Sequence, residues 1–278
     1  MLIMTHRCST PPAAFVTAAT SISRASRREA QVVGPVVSSY GRRRPWRIIA
    51  HRGASVAAPE STRAAILAAA RAGASMVELD VQMTRDGRLV VFHDADVRRT
   101  TDGTGRVRAM PYARLARLDA GAWFHPRFAG ERILLVSQVF RLVPTTMRIN
   151  LELKPTRARG LLIRRLRRII RSTGARGRLL VSSFDPALLR LLVPARLPLA
   201  LICRRDPERS LRQAIRLGCA AWHPFHALVT SRRVARAHAA GVAVHAWTVD
   251  RAVLARRMRG CGVDGIFTND PGRFRRRR

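Results

Sequence analysis

The stretch MRINLELKPTRARGLLIRRLRRIIRSTGARGRLLVSSF (147–184) decides the fold, because it holds two strand-like runs with a helix-like run between them. MRINLELK and LLVSSF are short apolar runs typical of strands. The intervening GLLIRRLRRIIR (160–171) is amphipathic, with arginines on one helical face and four apolar residues on the other: Leu162, Leu166, Ile169 and Ile170. This order predicts two parallel strands joined by a crossover helix.

The same alternation of strand and helix repeats from residue 47 onward. Nine runs are typical of strands: RIIAHRG, MVELDVQM, LVVFHD, MRINLELK, LLVSSF, LPLALIC, AAWHPF, VAVHAWTVD and DGIFTND. Helix-length segments separate most of them, so the pattern predicts an α/β protein with a (β/α)8 TIM barrel. Nine candidates for eight places mean that one run lies off the barrel wall or is not a strand.

Composition divides the chain into three regions. Residues 1–45 are rich in Ser, Ala and Arg and contain one acidic residue, Glu29. They are predicted to form a disordered low-complexity extension, with a transit peptide or a start codon assigned too far upstream as alternatives. Residues 46–272 form the predicted barrel domain, and residues 273–278 a basic tail that is predicted to be disordered.

The overall composition limits which cellular compartment and which binding partners are expected. No stretch approaches the ~18 uncharged apolar residues of a membrane span, and the four cysteines show no CxxC spacing, which favours a reducing compartment. These features predict a cytoplasmic protein. The net charge of +35 would suggest a polyanionic partner. The arginines are scattered rather than gathered into one motif, so weak peripheral attraction to anionic membranes is expected and a specific nucleic-acid partner is not.

Ionisable side chains gather at the ends of the predicted strands, where barrel enzymes build their active sites. In chain order these residues are His51, Arg52, Glu78, Asp80, His93, Glu152 and Lys154. Side chains two residues apart on a strand share a face, so the two carboxylates of the second strand point the same way, as do the carboxylate and the ammonium of the fourth. Burying such pairs is costly unless their charges are matched.

The acidic residues are concentrated near these strand ends, since seven of the 17 in the chain lie between Glu60 and Asp102. Glu78, Asp80 and Glu152 would supply three oxygen ligands, which suit Mg²⁺ or Ca²⁺ with waters completing the shell. A structural cluster of salt bridges is the alternative. Convergence beside two histidines favours the metal site.

A hairpin is predicted between the second and third strands. Asp86-Gly87 is a favoured two-residue turn, and with this turn at the centre the numbers of facing residues sum to 173. This register predicts that His93 lies opposite Asp80.

Lys154 is the only lysine among the 52 basic residues of the chain. Chance retention is one explanation. The other is a need for a compact ammonium, which a planar guanidinium does not replace where one oxygen must be met in a tight pocket.

The stretch from residue 49 to residue 107 closely resembles the glycerophosphodiester phosphodiesterases, because it carries HRG, PE-T, ELD and HD motifs in order. Further matches follow in LDAGAWF (118–124), LELKP (151–155), SSFD (182–185), HAWTVD (245–250) and GVDGIFTNDP (262–271). The resemblance covers about residues 46–272 and is far more specific than any single motif.

The resemblance implies a (β/α)8 barrel and metal-dependent hydrolysis of glycerophosphodiesters to sn-glycerol 3-phosphate and an alcohol. It implies that His51 and His93 form an acid/base pair and that Glu78, Asp80 and Glu152 bind the metal. Arg52 and Lys154 would contact the phosphate, and Glu60 would support the site. Glu60 would orient the catalytic groups or approach the metal. We expect His51 to act as the base and His93 as the acid.

Two other functions stay open beside this one. A lysophospholipase D-type hydrolase would act at an anionic membrane surface, to which the basic charge would attract it. A nucleic-acid-binding protein with an inactive barrel is the third reading, and the intact set of site residues argues against it. Outside the predicted site, Phe184 and Trp247 are expected in the barrel mouth or core, and His223 and His245 in the core or rim.

Overall fold

The computed structural model describes residues 46–274, so the extension predicted at 1–45 and residues 275–278 of the predicted tail lie outside the described residues. Nine strands occur in the described part: β1 (Arg47–His51), β2 (Met76–Met83), β3 (Leu89–Val91), β4 (Arg148–Leu153), β5 (Leu179–Ser183), β6 (Leu199–Cys203), β7 (Ala221–Pro224), β8 (Ala243–Ala246) and β9 (Gly265–Thr268). The α-helices between 46 and 274 are α1 (Arg63–Arg71), α2 (Tyr112–Leu115), α3 (Val136–Leu142), α4 (Arg159–Thr173), α5 (Pro186–Arg190), α6 (Pro207–Arg216), α7 (Ser231–Ala239) and α8 (Ala252–Gly260).

Eight of these strands close into a parallel barrel. Pairing runs from β1 through β9, β8, β7, β6, β5 and β4 to β2, and β2 pairs with β1 to complete the circle. Ile49 of β1 faces Met76 of β2 on one side and Phe267 of β9 on the other. The predicted TIM barrel is therefore confirmed. The ninth strand, β3, lies off the wall as an antiparallel partner of β2.

The hairpin between β2 and β3 has a different register from the predicted one. Val81 pairs with Val91, so the numbers of facing residues sum to 172 rather than 173. The N–H of Thr84 donates to the carbonyl of Arg88, which leaves a three-residue loop. Gly87 ends this loop at a φ of 75°. A left-handed glycine at the end of a three-residue loop is a common hairpin geometry, and it replaces the predicted two-residue turn.

This register corrects the predicted position of His93. Phe92 lies opposite Asp80 instead, and its N–H donates to the Asp80 carbonyl at 2.9 Å. Beyond β3 the chain turns, because the side-chain amide of Gln82 donates to the carbonyls of Phe92, His93 and Asp94 at 2.9, 3.2 and 2.6 Å. The turn brings His93 to the cavity at the barrel mouth.

Strand residues alternate between two apolar layers. The layer inside the barrel consists of Ile49, Met76, Leu180, Ala200, Ala221, Ala243 and Phe267. Outward-facing residues of β2, such as Val77 and Leu79, belong to the larger core beneath the helices. Glu78 and Asp80 occupy the inward positions of β2 beyond Met76, so the alternation that builds the core also aims both carboxylates into the barrel.

The helix predicted around 160–171 is present as α4, which buries Leu162, Ile163, Leu166 and Ile170 and is capped by the following Gly174 with a φ of 63°. Every helix in the described part is too short or too polar to span a bilayer. At the other end of the chain, Arg273 and Phe274 close a 3-10 helix (Pro271–Phe274), and Phe274 packs against the core. These two residues therefore do not share the predicted disorder of the tail.

Candidate active site

A cavity of about 380 Å³ collects the predicted site residues at the carboxyl ends of the barrel strands. Eight residues from β1, β2, β4 and the turn after β3 form what we call the charged wall: His51, Arg52, Glu78, Asp80, His93, Asn150, Glu152 and Lys154. Seven residues at the ends of β5 to β9 form the facing aromatic wall: Phe184, Ile202, Arg204, His223, Trp247, Thr248 and Phe267. The charged wall holds seven of the eight predicted site residues, and Glu60 lies beside it.

Three carboxylates form the centre of the charged wall. Glu152 of β4 lies next to Asp80 of β2 in the strand register. Glu78, Asp80 and Glu152 each offer an oxygen atom, and these atoms lie within 4.8 Å of one another. Glu78 Oε1 and Asp80 Oδ2 are buried without a hydrogen-bond partner among residues 46–274. Converging carboxylate oxygens with unused lone pairs are the donors that Mg²⁺ and Ca²⁺ prefer, so these residues fit a divalent cation.

Burying these three carboxylates is unfavourable in free energy when no cation is bound. Burial, with the charges of Asp80 and Glu152, raises the pKa of Glu78 well above its usual value. Burial and the charge of Asp80 also raise the pKa of Glu152. A bound divalent cation would lower both pKa values, because it favours the ionised form of each carboxyl group.

Two cations already meet Asp80. Lys154 Nζ lies 2.7 Å from Asp80 Oδ1 and 2.6 Å from Glu152 Oε1, and Arg52 Nε lies 3.5 Å from Asp80 Oδ2. Burial would raise the pKa of Asp80, but Lys154 and Arg52 outweigh burial and lower it. Burial would lower the pKa of Lys154, but Asp80 and Glu152 raise it. Lys154 is therefore an ammonium held between two carboxylates, an arrangement that suits a compact point charge.

A tight turn after β1 fixes Arg52. Its φ is 57°, and the φ of the following Gly53 is 84°. A Cβ on Gly53 would lie 2.7 Å from the backbone of Ala65, so only glycine fits. The turn directs the backbone N–H of Arg52 to Glu78 Oε2 at 3.1 Å.

The ring of His51 is oriented by an amide that is itself held by a carboxylate. His51 Nδ1 lies 2.8 Å from Asn269 Oδ1, and Asn269 Nδ2 donates to Asp250 Oδ2 at 2.7 Å. Because Asn269 donates to Asp250, its oxygen faces His51 and accepts the Nδ1 proton, which leaves the lone pair on Nε2. Nε2 lies 3.9 Å from Glu78 Oε2. Burial and the charge of Arg52 lower the pKa of His51 to about 4.

The ring of His93 is oriented by a carboxylate. Its Nδ1 lies 2.5 Å from Asp94 Oδ1. Burial would raise the pKa of Asp94, but hydrogen bonds from Arg99 and His93 lower it to about 2. Burial lowers the pKa of His93, whereas Asp80 and Asp94 act to raise it. An ionised carboxylate on Nδ1 stabilises the imidazolium form, in contrast to the amide beside His51.

Glu60 belongs to a network that joins the two histidine-bearing loops. Arg99 donates through Nε to Asp94 at 2.5 Å and through its terminal nitrogens to both oxygens of Glu60 at 3.1 and 2.7 Å. Glu60 also accepts from Arg52 NH1 at 3.0 Å. The Glu60 carboxylate is therefore engaged by two guanidinium groups.

The aromatic wall has few charges. The Phe184 and Trp247 rings meet edge to face at 5.8 Å, as expected for residues at the barrel mouth. His223 and His245 are buried, as predicted, with His223 Nε2 lying 3.2 Å from His245 Nδ1. Burial lowers the pKa of His223 to about 3, so this ring is neutral. Arg204 is the one charged residue of this wall at neutral pH.

Three positioning residues, Asn269, Asp250 and Arg99, were missed in the sequence analysis. Asn269 follows β9, which pairs with β1, so its distance from His51 is set by the closure of the barrel. A polar Thr-Asn-Asp run at the end of a buried strand was the available signal. Arg99 gave no signal, because arginine is common throughout the chain.

Comparisons with known proteins agree with this geometry. The model of the "Glycerophosphoryl diester phosphodiesterase family" matches residues 51–273. A glycerophosphodiester phosphodiesterase of Caldanaerobacter subterraneus subsp. tengcongensis is 37% identical over 232 residues, covering 81% of this chain and 94% of that protein. One from Bacillus altitudinis is 35% identical over 238 residues, covering 82% and 96%.

A solved structure shows the same likeness. The structure of an Oleispira antarctica phosphodiesterase in complex with the product sn-glycerol-3-phosphate has a TM-score of 0.77 and 30% sequence identity. The likeness covers 83% of this chain and 95% of that one.

Proposed function

Because the chain belongs to the glycerophosphoryl diester phosphodiesterase family, we propose that it hydrolyses glycerophosphodiesters to sn-glycerol 3-phosphate and an alcohol with the help of a divalent cation. The observation that carries this proposal is the convergence of two oriented histidines, three carboxylates and two cations at one cavity. The product complex of the Oleispira antarctica relative supports the choice of product.

Glu78, Asp80 and Glu152 are the proposed metal ligands. A bound Mg²⁺ or Ca²⁺ would neutralise negative charge on the phosphodiester, which otherwise repels a nucleophile. Arg52 and Lys154 add two further positive charges at the same wall and are proposed to contact the phosphate oxygens. Glu60 is proposed to hold Arg52 in place through their 3.0 Å ion pair.

His51 is the proposed general base. Its Nδ1 proton is engaged by Asn269, so Nε2 is free of a proton, and a pKa of about 4 keeps the ring neutral near pH 7. Nε2 would take the proton from the attacking oxygen, either of water or of the glycerol hydroxyl of the substrate.

His93 is the proposed general acid. Burial lowers the pKa of its ring, and Asp94 on Nδ1 opposes that shift by favouring the protonated form from which a proton is donated. The bond from phosphorus to the alcohol oxygen breaks as His93 Nε2 protonates that oxygen. If the glycerol hydroxyl is the nucleophile, the cyclic phosphate formed is opened by water with the two histidines exchanging roles.

Product identification tests the proposal. The purified protein is incubated with glycerophosphocholine, glycerophosphoethanolamine and glycerophosphoglycerol in EDTA, Mg²⁺ or Ca²⁺, and products are followed by phosphorus NMR. We expect metal-dependent release of sn-glycerol 3-phosphate, and release of phosphocholine instead would contradict the proposed bond cleavage. Lysophosphatidylcholine is tested in parallel, because hydrolysis of this lipid alone would favour the lysophospholipase D-type alternative.

A further inference from the structure

Arg204 differs from the other cations that line the cavity. It directly follows β6 and is exposed at the mouth. Arg52 lies 3.0 Å from a Glu60 oxygen and Lys154 lies 2.7 Å from an Asp80 oxygen. The side chain of Arg204 has no ion pair or hydrogen bond within residues 46–274. Its five N–H donors are therefore available to a bound molecule.

The barrel places Arg204 on the side of the mouth opposite His51. Around the circle, β6 is the fourth strand from β1 in either direction, so Arg204 and His51 lie on facing sides of the mouth. The rest of the aromatic wall is uncharged: Phe184, Ile202, His223, Trp247, Thr248 and Phe267. This wall thus carries one positive charge and, in the described part of the chain, no carboxylate to balance it.

The substrates of the proposed reaction have one constant part and one variable part. Every glycerophosphodiester presents the same phosphate, which the charged wall is suited to hold, and the compounds differ in the alcohol. A cationic alcohol at the facing wall would bring a like charge beside Arg204. The Phe184 and Trp247 rings could attract an ammonium, but they meet edge to face at 90° and lie in the same wall as the guanidinium.

On the basis of the proposed function, we infer that Arg204 determines specificity for the alcohol, and that the aromatic wall is a subsite for uncharged or anionic polyols. Glycerol and inositol headgroups would accept hydrogen bonds from the guanidinium, and an inositol phosphate would pair with it in a bidentate manner. Choline and ethanolamine would be disfavoured by electrostatic repulsion.

Charge reversal at Arg204 tests this inference. The values of kcat/KM for glycerophosphoglycerol, glycerophosphoinositol and glycerophosphocholine are measured for the wild type, Arg204→Gln and Arg204→Glu. Arg205→Glu is the matched control, because it makes the same charge change one residue away and does not line the cavity. We expect the wild type to prefer the two polyol substrates by about tenfold, and Arg204→Glu to reduce that preference about tenfold or more. Arg205→Glu should leave the preference unchanged.

Two results would overturn the inference. One is an equal preference in Arg204→Glu and Arg205→Glu. The other is a uniform loss for all three substrates in Arg204→Glu, which would mean that Arg204 contacts the shared phosphate. Calorimetric binding of the intact diesters in a His93→Ala background gives the same ratio without turnover. If the His93→Ala protein discriminates between the diesters in binding but the wild type hydrolyses none of them, the proposed function alone is contradicted. If the wild type hydrolyses all three without discrimination, this inference alone is contradicted.

Discussion

The two walls of the cavity contribute similar numbers of lining residues but very different chemistry. The charged wall contains every carboxylate that lines the cavity, and its two cations are both paired. The aromatic wall contains one guanidinium, that of Arg204, which has no ion pair within residues 46–274 and lies among neutral side chains. Paired charges are fixed in position and suit a reaction that is common to all substrates, whereas an unpaired charge is available to whichever alcohol enters.

The histidines show the same contrast at the level of single hydrogen bonds. His51 and His93 have their Nδ1 atoms held by Asn269 and Asp94, so each directs a defined Nε2. His223 in the aromatic wall uses Nε2 toward His245, and its own Nδ1 has no hydrogen bond within residues 46–274. The hydrogen-bond partner rather than burial therefore distinguishes a histidine oriented for proton transfer from one that packs.

The largest expected effect comes from removing either oriented histidine. His51→Ala and His93→Ala should each lower kcat by about 10²-fold or more, because each removes one of the two proposed proton-transfer groups. His238→Ala, on the outer surface of α7, is the control. A His93→Ala enzyme that kept a near-normal rate would break the assignment of proton transfer to the charged wall.

Lys154→Arg should lower kcat/KM by about 10²-fold, an effect similar to the loss of one charge-stabilising donor. The ammonium contacts two carboxylate oxygens at 2.7 and 2.6 Å, and a planar guanidinium does not fit this position without moving them. Arg157→Lys, at an exposed nearby position, controls for the exchange of the two residue types. Unchanged kinetics in Lys154→Arg would leave chance retention as the reason for the single lysine.

Arg99→Lys should have a smaller effect, about tenfold on kcat. The substitution keeps the charge but loses the fork that joins Asp94 to Glu60. Arg98→Lys at the neighbouring exposed position should be neutral. If the two variants behave alike, the network between the histidine loops contributes nothing measurable to the rate.

The smallest effect concerns stability in acid. The pKa of His223 falls from an ordinary 6.5 to about 3 through burial. As the pH drops below about 6.5, the unfolded chain gains a proton that the folded protein does not accept, so stability is lost toward pH 3 at up to about 1.4 kcal/mol per pH unit. His223→Gln should therefore flatten the decline in urea stability between pH 7 and pH 5, and a decline as steep as in the wild type would contradict the assignment of this decline to His223.

The sequence was most informative where strand periodicity and unusual residues coincided. The ELD and ELK strand ends placed Glu78, Asp80, Glu152 and Lys154 on inward faces, because alternation along a buried strand leaves no other direction for them. The same reasoning failed by one residue at the β2–β3 hairpin. An Asp-Gly pair serves both two-residue and three-residue loops, and local sequence does not say which backbone geometry is adopted.

Contacts that depend on barrel closure were beyond the sequence. Asn269 and His51 are 218 residues apart and meet only because β9 pairs with β1. Lys154 stood out as the single lysine, whereas Arg204 was overlooked because one arginine among so many does not indicate a role. The structure alone shows that Arg204 lines the cavity and has no partner in the described part of the chain.

The central claim is that the charged wall acts through a divalent cation held by Glu78, Asp80 and Glu152. It is tested most directly by titrating Mg²⁺ or Ca²⁺ into protein treated with EDTA, while following both thermal unfolding and the release of sn-glycerol 3-phosphate. We predict that activity is absent before addition and returns together with a rise in Tm, and that Glu152→Gln weakens both responses. Full activity of the EDTA-treated protein, with no response of Tm to either ion, would contradict the account.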